Sequence, residues 1–114
     1  MKHEEKIKTY KGYFESIGMD VCYADEVIAC KRMDDGGFAR VETGTIYFGV
    51  EYENSYYKYL DKKWHKDTCR LTIDILPNGW WSINAESDDN GSVNLGSYTE
   101  EVAKAILENL VKCK

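Results

Sequence analysis

A chain of 114 residues can bury one hydrophobic core but not two, so one domain is expected. Twenty acidic against 15 basic residues, a net charge of −5, disfavour general binding to duplex DNA or anionic membranes, yet the excess is too small for a DNA mimic. A hydrophobic share of 43% and a single proline argue against intrinsic disorder.

Met1 runs straight into the polar stretch Lys2-His3-Glu4-Glu5-Lys6, with no signal-peptide core and no apolar run of membrane length. The expectation is a cytoplasmic protein with no membrane role. Ile7, Tyr10, Phe14 and Ile17 then form an apolar stripe over residues 4–17, an amphipathic helix stopped by Gly18. Residues 20–33 admit two readings. Val27–Met33 reads as a strand entering the hairpin connection Asp34-Asp35-Gly36-Gly37, and a helix over the whole stretch is the rival.

Phe38–Glu42 and Thr45–Glu53 are predicted as the two strands of the next hairpin. A turn at Thr43-Gly44 would pair Val41 with Ile46 and Ala39 with Phe48, and would set Tyr47 beside Arg40 on the outer face. In Asn54–Asp67 the spacing turns helical: Tyr56, Leu60 and Trp64 follow a possible cap at Asn54 or Ser55 at intervals of one turn. A short helix is expected there.

Arg70–Glu86 specifies its own register. Leu71, Ile73 and Ile75 alternate with polar residues, as do Trp81, Ile83 and Ala85. A two-residue Asn78-Gly79 turn would mix the faces. A three-residue loop Pro77-Asn78-Gly79 with left-handed Gly79 instead pairs Ile75 with Trp81, Ile73 with Ile83, Asp74 with Ser82 and Arg70 with Glu86. Leu76 then meets Trp80 on the otherwise polar face. Ser87–Gly91 is a polar turn, Val93 and Leu95 mark a short last strand, and Ser97-Tyr98-Thr99-Glu100 is a capping box. It opens a helix whose Val102, Ala103, Ile106, Leu107, Leu110 and Cys113 make the buried face.

The predicted fold class is α+β: a single antiparallel β-sheet of five to six strands, an N-terminal and a C-terminal helix packed on it, and a short helix in the 54–67 connection.

The sharpest candidate site is Trp80 with Leu76, an apolar pair on a polar sheet face and thus a possible interface anchor. The competing reading is a second small core, covered by the first helix or by the 54–67 segment. The Tyr/Lys-rich run 56–66 is the second candidate. As a helix it would present Tyr59, Lys62, Lys63 and Lys66 outward and turn Tyr56, Leu60 and Trp64 inward, a surface for an acidic protein patch or for stacked bases. Its plain reading is a solvated surface helix.

His65-x-Asp67-x-Cys69 offers three possible zinc ligands or a thiol nucleophile, but lacks an evident fourth ligand and crosses a predicted helix-to-strand junction. The acidic clusters Asp34-Asp35 and Asp88-Asp89 do not space their carboxylates as a calcium loop does. Cys22, Cys30, Cys69 and Cys113 form no C-x-x-C pair and are expected mostly as buried free thiols.

The residues therefore point to a small acidic protein-binding module, an inhibitor, immunity protein or adaptor, acting by association without catalysis and without cofactor or metal. Trp80 and Leu76 would anchor the contact, with Tyr47, Arg40, Tyr59, Lys62 and Lys63 flanking it. The partner is another protein, or a second copy in a homodimer; nucleic acid is disfavoured. The alternative is a ligand or single-stranded nucleic-acid binder built on residues 56–66.

Overall fold

The computed structural model describes residues 2–87 and 91–112. Helix α1 (Lys2–Ser16) is followed by strands β1 (Asp20–Arg32), β2 (Phe38–Lys58), β3 (Lys63–Ile75), β4 (Trp80–Ser87) and β5 (Gly91–Thr99), then helix α2 (Glu100–Lys112). The strands form one antiparallel meander in the order β1-β2-β3-β4-β5. The α+β architecture is thus as expected, with five strands.

Both helices bury their stripes on one face of the sheet. Phe14 of α1 and Ala103 and Leu107 of α2 join Phe48, Val50, Ile73, Trp81 and Ile83 in a single core. Its centre is aromatic: Phe14 meets Phe48 edge-to-face at 5.1 Å and Trp81 at 5.8 Å, and Tyr10 meets Trp81 at 5.5 Å. Between the helices, Lys104 Nζ stands 4.7 Å over the Tyr13 ring. Burial, then the nearby Glu108 and Glu100 carboxylates, push the Tyr13 phenol up to about 12.

The β3–β4 hairpin has the predicted register, Ile75 opposite Trp81, Asp74 opposite Ser82 and Ile73 opposite Ile83. Gly79 takes φ 91° and its N–H donates to the Leu76 carbonyl at 2.9 Å, while Leu76 N–H donates to the Trp80 carbonyl at 2.8 Å. Left-handed backbone at that position is what selects glycine. Arg70 Nε, however, donates to Glu51 of β2 at 2.8 Å, and Glu86 accepts from Thr72 Oγ1 at 3.3 Å.

Several local expectations are corrected. The strand expected from Val27 is present but begins already at Asp20, and the rival helix over this stretch is excluded. Phe38–Glu42 and Thr45–Glu53 are not two strands of a hairpin but parts of the single strand β2. Thr43-Gly44-Thr45 is a bulge: Glu42 pairs with Ile28 and Ile46 with Glu26, so these three residues stand opposite Val27. Gly44 has φ 78°, and the Thr43 hydroxyl donates to the Val27 carbonyl at 2.7 Å, which locks the bulge. Val41 consequently pairs with Ala29, and Ala39 with Lys31.

The 54–67 helix is likewise overturned. Tyr52–Lys58 and Lys63–Cys69 continue the β2–β3 ladder without a slip, from Tyr52 opposite Cys69 to Lys58 opposite Lys63. A spacing of four residues puts side chains on one face of a helix and on one face of a strand alike. The β-favouring Tyr and Trp content, and a covered face already filled by two helices, decide for the strand. At the other end of the chain, Ser97 pairs with Ser82 inside β5, so α2 starts at Glu100 and not after a Ser97 cap. Val102 is exposed, and Ala103 and Leu107 carry the helix's full burial. The Asp88-Asp89 cluster and Cys113 lie outside the described residues.

Among the described residues, β4 pairs with β3 only from Leu71 to Ile75, and β1 pairs with β2 only as far as Glu51. Residues 53–58 and 63–68 therefore leave the sheet as a two-stranded distal arm. At the opposite end, residues 28–32 and 38–42 form a second, proximal arm beyond the Thr43–Thr45 bulge. At roughly 3.3 Å per residue, the 21 residues of β2 run nearly the whole 65 Å length of the molecule.

Candidate functional site

The predicted site residues fall at opposite ends of β2. Trp80 starts β4, pairs with Thr99 and is 44% exposed on the face that carries no helix, while Leu76 across the turn is half-buried. Pro77 of this turn packs at the base of the proximal arm, where a Cβ on Gly44 would meet its ring at 3.1 Å. Arg40 is exposed in that arm opposite Cys30, whereas Tyr47 lies inside the sheet between Asp25 and Asp74. The expected Tyr47–Arg40 neighbourhood is not formed, because the bulge separates them. Tyr59, Lys62 and Lys63 sit at the tip of the distal arm, about 45 Å from Gly44 along β2 at strand rise.

That tip carries the two most exposed large hydrophobic side chains among the described residues. Leu60 is 92%, Tyr59 84% and Trp64 67% exposed. Leu60 and Trp64, expected to turn inward, are corrected by this; an isolated ribbon has no third layer to bury them. The aromatic rings instead support one another: Tyr57 meets Trp64 at 5.6 Å and Tyr59 at 5.0 Å, both edge-to-face. Lys62 turns the chain in the left-handed region at φ 55°, and Asp61 Oδ1 accepts from Lys63 N–H at 3.1 Å. His65 Nε2 lies 2.7 Å from Asp61 Oδ2. Lys58, Lys62, Lys63 and Lys66 face a single acidic residue, Asp61, over residues 57–66, so a basic aromatic knob projects from an acidic protein.

At the root of the distal arm β3 and β4 part, opening a cleft of about 660 Å³ lined by Tyr52, Cys69, Leu71, Ala85, Leu95 and Leu110 among others. His65, Asp67 and Cys69 do share an extended strand, but as alternate residues they stand about 6.6 Å apart along it. Among the described residues no three His, Cys, Asp or Glu side chains come together to hold a metal ion. Cys22 and Cys30 are exposed and Cys69 is half-buried, which corrects the expectation of buried thiols. Partial desolvation, then the carboxylate of Glu51, push the Cys22 thiol up, the opposite of an activated nucleophile.

On the uncovered face Tyr23 and Tyr47 pack edge-to-face at 6.0 Å. Tyr23 was not legible as a surface residue, since residues 20–24 carried no clear periodicity. Among the described residues no helix is long and apolar enough to cross a membrane. No family model, no curated protein and no solved structure matches this chain.

Proposed function

We propose that this chain is a protein-binding module of the inhibitor, immunity or adaptor type, acting by association and not by catalysis. One observation carries the reading: Tyr59, Leu60 and Trp64 project on a free two-stranded arm, where a folded domain gains nothing from exposing them. Isolated two-stranded ribbons are marginal in water, so an arm of this length fits a segment stabilised by what it docks on. Trp80, with Leu76 behind it, is a secondary contact at the other end.

The test is site-specific photo-crosslinking from position 60 in lysate of the source cell. A discrete protein adduct that disappears in Trp64→Ala and Tyr59→Ala supports the reading; adducts unchanged by both substitutions overturn it. A second reading, single-stranded nucleic acid on the same tip, is favoured by Lys58, Lys62 and Lys63 around Tyr59 and Trp64. It requires salt-sensitive retention of an oligothymidylate that is lost in Lys62→Ala/Lys63→Ala.

A further inference from the structure

We infer that the distal arm pairs with the same arm of a second copy, β3 edge to β3 edge, forming a two-fold symmetric dimer; this rests on the protein-binding reading and names the partner. Among the described residues no strand lies along β3 between Lys63 and Arg70 on the side away from β2. Such an edge offers backbone donors and acceptors to an incoming strand, and nothing in the arm blunts it with a proline or a bulge.

The side chains choose a register. In an antiparallel pairing about a two-fold axis, residues opposite one another must share a face, so the axis passes through a residue. With the axis at His65, Lys63 of each copy faces Asp67 of the other, and Trp64 faces Lys66. That gives two ion pairs on one face and two cation–π pairs on the other. Moving the axis to Trp64 sets Lys62 against Lys66. An axis at Lys66 or at Asp67 sets that residue against its own copy. Of the axes at residues 63 to 67, which keep the pairing on the free edge of the arm, only the His65 register is free of facing like charges among the fixed charges of residues 62–68. His65 meets its own copy there, each ring held by its Asp61 at 2.7 Å.

The same register brings the tip of each arm, where the chain enters β3 from Lys62, alongside Thr68 and Cys69 of the other copy. That is the mouth of the cleft lined by Leu71, Ala85, Leu95 and Leu110. The tip that carries the exposed Tyr59 and Leu60 thus approaches the cleft of its mate, where these apolar side chains stand beside Asp67, Thr68, Arg70 and Glu86. Exposed ion pairs contribute little to affinity. They set the register, and burial of the tips supplies the driving force.

Sedimentation equilibrium on the full chain tests this, with near-ultraviolet circular dichroism as the folding check. The wild type is expected to be a dimer, and Lys63→Asp and Asp67→Lys, each apart, to weaken it at least tenfold while staying folded. Mixing the two variants restores opposite charges at both positions, so a mixed dimer of near wild-type affinity is expected. A wild-type monomer overturns the dimer but leaves the crosslinking test of protein binding standing. A dimer indifferent to either substitution, or a mixture that stays monomeric, overturns it too.

Discussion

The ring of Tyr23 lies on the backbone of Gly49 so closely that a Cβ at position 49 would come within 2.3 Å of it. A glycine inside a central strand weakens the strand through lost packing, and an aromatic ring from the neighbouring strand covers that gap. Gly49→Ala should therefore expel Tyr23 from its seat. The ring is 48% exposed and can swing away, so the cost is expected near the low end of overpacking, about 1 kcal/mol. Thermal unfolding of Gly49→Ala, Tyr23→Ala and the double variant checks it: once Tyr23 is gone, Gly49→Ala should cost nothing further.

Next to this seat, Asp74 pairs with Tyr47 on one side and Ser82 on the other. Burial raises its carboxyl above the ordinary value of 3.8. The folded state then keeps a proton that the unfolded chain has already released, so stability falls as the pH rises from that ordinary value through the raised one. Asp74→Asn should raise the melting temperature at pH 7 and leave it unchanged at pH 3. A variant no more stable than wild type at pH 7 would show the carboxylate to be well solvated.

How far the residues foretold this structure depends on which period they carry. The β3–β4 hairpin was legible because alternation and a Pro-Asn-Gly loop agree on one register. The distal arm was not, because Tyr56, Leu60 and Trp64 are spaced in a way that a strand and a helix share. The Thr43-Gly44 bulge looked like a turn for a related reason: glycine marks both, and only the pairing of Glu42 with Ile28 tells them apart. The sequence singles out Tyr59, Lys62 and Lys63 as candidates, but the packing of Tyr57 and Trp64 with Tyr59 at that tip emerges only from the ribbon geometry.

Lys62 offers a direct handle on the arm. A lysine at φ 55° sits where glycine or asparagine is favoured, at a cost of order 1 kcal/mol. Lys62→Gly should stabilise the tip and slow amide hydrogen exchange at residues 57–65, with the core amides unchanged. Faster exchange there would mean that the lysine side chain itself holds the turn.

Trp80 and Trp81 are adjacent in sequence and opposite in consequence. Trp81 is fully buried among Tyr10, Tyr13 and Phe14, whereas Trp80 points to the uncovered face. Trp81→Ala should cost about 3–5 kcal/mol, enough to unfold a domain of marginal stability at physiological temperature. Its indole Nε1 has no hydrogen-bond partner in the described structure, so Trp81→Phe loses packing alone and should cost much less. Trp80→Ala should cost about 1 kcal/mol or less, since nearly half of that side chain is in water already. Urea unfolding of the three variants measures this order directly. A Trp80→Ala protein as unstable as Trp81→Ala would mean that Trp80 is core, and the uncovered face would lose its standing as a contact surface.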